Sequence, residues 1–313
     1  MSERRRPVLI ATKLNEWSDT VVRSGVQLAR ALDAPVWLLH TYKIPLLGDS
    51  QAAGSEGAFE AVEGGLRRSL DEQAERLGLA GEELAGVDLE CGPLPHVLTA
   101  RARELDALLV VMGGEADWGL GRRTERVLRH TGRPVFVVRT DAELPPKRVL
   151  APVDLSALSA DAFRCGLQLL EGIERGSRPE VEALFVLNPL ERVGSMHFTP
   201  EQVDRFVAGE MRRFLERNGA ETVRLGSQVQ IGQAKTVILE AAETWQADLL
   251  LMGTHGRSGF ERVVLGSVTE AMVRRAPCNV LVIPPDAALK SALSEERERR
   301  HHDKPAEEVT ART

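Results

Sequence analysis

Residues 249–284 read LLLMGTHGRSGFERVVLGSVTEAMVRRAPCNVLVIP: an apolar run, a glycine-rich loop, a helical segment and a second apolar run. Leu249 to Met252 is long enough for a buried strand, and Val280 to Ile283 supplies another. Between them lie glycines at 253, 256, 259 and 266, and a helix-like segment opens at Ser267. A strand that leads through a glycine loop to a helix N-terminus favours phosphate, because the first N–H groups of a helix lack partners within it and point at the anion. Gly256 and Gly266 let backbone approach such a group with no Cβ in the way. Ser267 and Glu270 have the S-x-x-E spacing of a capping box, which makes Ser267 the expected cap of its helix. With a ligand bound, the Ser267 hydroxyl and N–H would face the phosphate instead. Arg257 and Arg262 bring positive charge to the loop.

Upstream of this stretch the pattern alternates. Val149–Val153 reads as a strand, Asp161–Gly172 as a helix, Glu182–Leu187 as a strand, and 188–198 as a loop. Pro200–Arg217 is a helix with a well-marked start, since Thr199 caps, Pro200 occupies the first turn and Gln202 completes a T-x-x-Q box. Gln228–Ile231 is a strand and Thr236–Thr244 a helix. The same order runs through the N-terminal half. Strands are expected at Val8–Thr12, Val36–Tyr42, Val87–Cys91, Ala107–Met112 and Val135–Val138. Helices are expected at Asp19–Leu32, Glu60–Leu77 (weakened by Gly64-Gly65), His96–Glu104 and Thr124–His130, with a small-residue loop at 46–57. Arg23, Gly25, Gln27 and Leu28 fall on Arg164, Gly166, Gln168 and Leu169 at an offset of 141, and Ala107, Met112 and Gly113 on Ala247, Met252 and Gly253 at 140. The chain is therefore an internal duplication. The two copies span 1–140 and 147–285, joined by the charged, Pro-Pro-containing segment 139–147. The polar tail 286–313 is expected to be disordered, with His301 and His302 solvated rather than metal-bound.

Alternating strands and helices give an α/β fold of two tandem, doubly wound, five-stranded parallel sheets with helices on both faces. Ligands bind such sheets at the carboxyl ends of the strands, where strand order reverses. In the usual order the first and fourth strands are neighbours there, which brings Asp154 and the loop after Met252 to one crevice. Length agrees with two domains, since 313 residues is about twice the ~100–200 of one. Hydrophobic content of 43% and charged content of 27% fit a soluble globular chain, and a net charge of −6 argues against a nucleic-acid binder. No apolar run approaches the ~20 residues of a membrane span, and the apolar segment in MSERRRPVLIAT is too short for a secretion signal. Cys91, Cys165 and Cys278 are scattered without CxxC spacing, which suits reduced thiols in the cytoplasm, with Cys278 a small buried residue.

The G-x2-G-x9-G-S pattern of Gly253, Gly256, Gly266 and Ser267 resembles the nucleotide loop of the universal stress protein family. VLAPVDLS at 149–156 resembles the end of that family's first strand, whose aspartate hydrogen-bonds adenine. The resemblance implies a Rossmann-like, adenine nucleotide alpha hydrolase-like fold that binds ATP in the second half. Asp154 would then hold the base, Pro152 and Val153 lie beside it, and Val186 contact it. Met252 and Gly253 would flank the nucleoside. Gly256, Arg257, Gly266, Ser267 and Val268 would surround the phosphates, with Mg2+ held mainly by those phosphates. The family also pairs through its fifth strands, which two halves can do within one chain; a further homodimer is compatible with this.

The first half departs from the pattern. Thr124-Glu125 falls on Thr269-Glu270 at an offset of 145, so Gly121 falls on Gly266 and the loop is five residues shorter. Arg122 stands at the Ser267 position, Ala116 at the second glycine, and Glu115 adds negative charge. Lys13 replaces Asp154, and a lysine has no acceptor for the adenine amino group. The first half is expected to be structural or to bind something else. An enzyme of the wider nucleotide-binding superfold would carry an SGGxDS or HxGH motif near the first strand, and neither is present. No carboxylate or nucleophile is placed beside His255 by sequence, so no catalytic residue is assigned and any ATP hydrolysis is expected to be slow. The remaining alternative is a nucleotide-free scaffold or small-ligand binder.

Overall fold

The computed structural model describes residues 5–43, 56–79, 81–114, 122–173, 178–190, 199–220, 222–256 and 265–285. The first half comprises β1 (Val8–Thr12), α1 (Glu16–Ala31), β2 (Val36–Tyr42), α2 (Glu56–Arg76), β3 (Leu84–Cys91), α3 (Leu94–Glu104), β4 (Leu109–Gly113), α4 (Arg122–His130) and β5 (Val135–Val138). The second repeats it with β6 (Arg148–Val153), α5 (Ala157–Ile173), β7 (Glu180–Leu187), α6 (Pro200–Asn218), β8 (Arg224–Ile231), α7 (Ala234–Thr244), β9 (Leu249–Gly253), α8 (Ser267–Arg275) and β10 (Asn279–Ile283). Most of the loop expected at 46–57, most of that at 188–198, and the tail 286–313 lie outside the described residues.

All ten strands join one sheet in the order β3-β2-β1-β4-β5-β10-β9-β6-β7-β8. Within each half the strands run parallel, and the halves meet where β5 and β10 pair antiparallel, Val137 opposite Val280 and Phe136 opposite Leu281. The fifth strands thus pair within the chain, as the resemblance implied. The reversal of strand order falls between β1 and β4 in one half and between β6 and β9 in the other.

Sheet alternation sorts the core into two layers. Val8 and Ile10 face the side packed by α1, α2, α5 and α6, whereas Leu9 and Ala11 face α3, α4, α7 and α8. Covered on both faces, the central strands are apolar at nearly every position, and β1 and β10 are buried throughout. The outer strands β3 and β8 are only partly covered and alternate with polar residues. That is why both extend several residues beyond the apolar runs that mark them in sequence. Repeated turns carry the duplication into the backbone. Leu14 and Leu155 have φ of 58° and 65°, and Asp106 and Gln246 have 50° and 52°.

Helix α6 begins as expected, with the Gln202 N–H donating to Thr199 Oγ1 and the Thr199 N–H to Gln202 Oε1. Helices α1 and α5 start earlier than their apolar periodicity suggests. Asn15 accepts from the Ser18 N–H, and Ser156 from the Ser159 N–H, so polar caps extend both helices upstream. Gly64 and Gly65 do not interrupt α2 and face open space.

The junction of the halves is polar at its rim. Arg139, just after β5, donates from Nε to the Ala276 carbonyl at 2.7 Å and from a terminal nitrogen to the Val273 carbonyl at 2.8 Å, closing the C-terminal end of α8. Burial pushes the pKa of its guanidinium down. Asn279, 1% exposed, accepts the Arg139 and Thr140 N–H groups on Oδ1 at 2.8 and 3.0 Å. Arg274 of α8 pairs with the buried Glu125 of α4.

Candidate functional site

At the end of β6 the chain turns sharply. Leu155 takes φ of 65°, a region that non-glycine residues occupy at a cost and that clusters at functional sites. The turn is held by the Asp154 N–H donating to Ser159 Oγ at 3.2 Å and the Ser156 N–H donating to Asp154 Oδ1 at 2.9 Å. Asp154 therefore has a local structural duty as well as its position at the crevice.

Beside it, β9 ends at Gly253 and continues through Thr254 and His255 to Gly256. A Cβ built on Gly256 would lie 2.8 Å from Asp154 Oδ2, so the second glycine of the loop packs on the carboxylate at the end of the neighbouring strand. On Gly253 a Cβ would reach 3.0 Å from Ala162 Cβ, and on Gly266 3.2 Å from the Thr254 carbonyl. The near end of the loop is pinned to the far end: the Gly266 N–H donates to the Thr254 carbonyl at 2.8 Å, and Thr269 Oγ1 to the Gly253 carbonyl at 2.8 Å. This brings the start of α8 back over the end of β9. Residues 257–264, including Arg257 and Arg262, lie outside the described residues, as do Glu115, Ala116 and Gly121 of the first half.

One expectation is corrected here. Ser267 does not cap α8; the N-cap is Gly266, no side chain among the described residues caps this end, and Ser267 is the first helical residue, exposed. The S-x-x-E box fails because the Gly266–Thr254 backbone bond draws the helix start one residue upstream of the position the spacing requires. The Glu270 N–H donates to the Gly266 carbonyl at 2.9 Å as an ordinary helical bond.

The apolar wall comes from adjacent strands. Val153 pairs in register with Phe185, so Val186 lies one residue on, level with Asp154. The β6–β9 register, Leu150 opposite Leu250, places Met252 level with Pro152. Met252 is buried in the layer under α7 and α8, with Val186 and Val268 partly buried against it.

Thr254 and His255 carried no assigned role in the sequence. Thr254 Oγ1 lies 2.8 Å from His255 Nδ1, while His255 Nε2 is buried with no hydrogen-bond partner among the described residues. Burial pushes the imidazole pKa below its ordinary value. Thr269 appeared in sequence only as an anchor for aligning the two halves, yet it ties the helix to Gly253. Cys278 is buried, and burial pushes its thiol up to about 12, which leaves it unreactive.

A family model described as the universal stress protein family matches residues 4–139 and again 146–284. The chain belongs to the universal stress protein family. It carries two copies of the universal stress unit in tandem. A universal stress protein of Mycolicibacterium smegmatis is 26% identical over 305 residues, spanning 89% of this chain and 97% of the relative. One of Methanocaldococcus jannaschii is 28% identical over 142 residues, 44% of this chain and 81% of its own length. Among solved structures, a universal stress protein of Archaeoglobus fulgidus superposes with a TM-score of 0.61 at 18% identity, covering 90% of this chain and 97% of that one. These likenesses agree with the mixed α/β, mostly parallel architecture of the tandem universal stress fold.

Proposed function

We propose that the second half binds ATP and that the protein acts in the cytoplasm as a nucleotide-dependent regulatory module of a stress response. The observation that carries this reading is the packing of Gly256 on the Asp154 carboxylate, 2.8 Å from where a Cβ would stand, beside a helix start that no side chain among the described residues caps. Asp154 supplies an acceptor for the adenine amino group, Pro152, Val153, Val186 and Met252 the apolar surroundings of the base and ribose, and Gly253 the close approach to the nucleoside. Gly256, Gly266, Ser267 and Val268 offer backbone N–H groups and the α8 dipole to the phosphates, with Arg257 adding charge. Among the described residues no group of three or more His, Cys, Asp or Glu side chains is placed to hold a metal. Mg2+ in this reading is carried mainly by the phosphates.

Occupancy would set the conformation of the segment between Gly253 and Gly266 and so bias a surface that partners read. The reading is of a binding protein with at most slow hydrolysis. Burial disfavours the charged form of His255, and its Nδ1 is engaged with Thr254 Oγ1, which suits a positioning role better than proton transfer.

Mass spectrometry of nucleotide released from the purified protein, with ATP binding measured on Asp154→Ala and Gly266→Glu, tests this. Loss of one charged hydrogen-bond partner in Asp154→Ala is expected to cost about 1.5–3 kcal/mol of binding. Gly266→Glu crowds the Thr254 carbonyl and sets a carboxylate against the phosphates, so its loss is larger. Unchanged affinity in both variants would place the nucleotide elsewhere. A wild type that binds no adenine nucleotide with magnesium present would leave a nucleotide-free scaffold.

A further inference from the structure

The sheet ends in two open edges, and the two copies treat them differently. Among the described strands β3 pairs only with β2, and β8 only with β7. The Arg224 N–H donates to the Pro179 carbonyl at 3.0 Å, and the Gly232 N–H to the Leu187 carbonyl at 3.0 Å. By the two-residue period of a strand, the backbone groups of the even-numbered residues of β8 face β7, and those of Leu225, Ser227, Val229 and Ile231 face outward. The side chains of these four lie on the α6 side of the sheet, where Gly219, just after α6, packs on Leu225. Val229 is 37% exposed there and Ile231 45%. The strand registers set Leu89 of β3 at the position of Val229, and Leu89 is buried.

Open edges are ordinarily guarded by charge, proline or a bulge. Strand β3 carries Asp88 and Glu90, and its pairing with β2 shifts register between Val36 and Trp37. Laid antiparallel on a second copy of itself, β3 would set Asp88 against Asp88, or against Glu90 one register on, and like charges directly opposite destabilise a ladder. Strand β8, RLGSQVQI, has no such guard. Its pairing with β7 is regular from Arg224 to Ile231, it contains no proline, and its one charged residue, Arg224, stands at its start. The strand is also its own complement. With Gln228 on a two-fold axis, antiparallel pairing sets Leu225 opposite Ile231, Ser227 opposite Val229 and Arg224 opposite Gly232. Outward residues then meet outward residues, as the ladder requires, no like charges face each other, and the exposed apolar side chains fall on one face. Gln228 Oε1 accepts from Gln230 Nε2 at 2.6 Å, and the Gln228 amide nitrogen is a donor for the Gln228 oxygen of the second copy. Strands β5 and β10 already join the two halves by antiparallel pairing of this kind, with α1, α2, α5 and α6 on one side of the joined sheet.

We propose that β8 pairs antiparallel with the β8 of a second copy of this chain, joining two ten-stranded sheets edge to edge through their second halves. The pairing covers Val229 and Ile231 and gives the outward backbone groups of β8 partners. The inference concerns an edge separated by β7 from the strand that carries Asp154, and it stands whether or not the ATP reading does.

Sedimentation equilibrium of the full-length chain over a concentration series tests it. A monomer–dimer equilibrium is expected. Val229→Lys and Ile231→Lys should each weaken it about tenfold or more, and Cys91→Lys, at the position of β3 that corresponds to Ile231, should leave it unchanged. All three side chains are exposed, and thermal unfolding of each variant checks that the fold is retained. A cross-link reads the register. Residues opposite each other at a non-hydrogen-bonded position have Cα atoms about 4.5 Å apart, within the ~4.4–6.8 Å that a disulfide spans. Gln228→Cys in a Cys91→Ser background should therefore form a disulfide-linked dimer on mild oxidation, and Arg224→Cys in the same background should not, since Cys165 and Cys278 are buried. The proposal is overturned if the chain is monomeric throughout the series, if its dimer is unaffected by Val229→Lys and Ile231→Lys, or if Gln228→Cys cross-links no better than Arg224→Cys.

Discussion

The two halves differ most where they are built most alike. In each, the turn after the first strand holds a residue of positive φ, Leu14 or Leu155, with the preceding N–H donating to a serine of the following helix, Lys13 to Ser18 and Asp154 to Ser159. The backbone scaffold of the crevice is therefore common property, conserved between the copies down to individual hydrogen bonds. What the scaffold presents is not: a carboxylate beside Gly256 in one half, a lysine in the other. The lesson is that a doubly wound unit separates its framework from its specificity. Strand order fixes where the crevice lies, and a few side chains at strand ends fix what it presents.

The comparison can be broken most forcefully by making the second half resemble the first. Asp154→Lys places a cation where the adenine acceptor is proposed, and ATP affinity is expected to fall by several kcal/mol, on the order of a hundredfold or more. The reciprocal Lys13→Asp should create no ATP site, because His40, Thr41 and Arg123 remain around it; equilibrium dialysis with labelled ATP reads both. A second test cuts the tie between the halves. Asn279→Ala leaves the Arg139 and Thr140 N–H groups without their shared acceptor at a buried position, and chemical denaturation should show a loss of about 1–3 kcal/mol. The smallest effect concerns His255, whose folded pKa lies below its unfolded one because burial disfavours the charged ring. The unfolded chain then binds more protons in that range, so stability is full above the ordinary histidine value of ~6.5 and declines as pH falls through the folded pKa. His255→Gln should flatten that part of the stability–pH curve, measured by thermal unfolding in buffers on either side of it.

Much of this architecture is legible in the chain because the central strands are sandwiched. Val8–Thr12 and Val280–Ile283 carry uninterrupted apolar runs that exist only where helices cover both faces. Edge strands lose that signal, and β8 shows in sequence as Gln228–Ile231 although it begins at Arg224. Helix starts are legible when the cap is a standard pair, as at Thr199 and Gln202. They are missed at Asn15 and Ser156, whose third residues are serines rather than Glu or Gln, and misplaced at Ser267, where a backbone bond between Gly266 and Thr254 overrides the spacing. The meeting of Asp154 with Gly256 follows from a topological rule and could be anticipated. The Thr254–His255 contact and the Thr269–Gly253 bond depend on how the chain turns after β9, which no periodicity records.

The asymmetry between the halves is tested most directly by the stoichiometry of ATP binding to the full-length chain, titrated with magnesium present. One site per chain, weakened about tenfold or more by Asp154→Ala and indifferent to Lys13→Gln, is the expected result. Two sites per chain, or a single site whose affinity Asp154→Ala leaves unchanged, would contradict it.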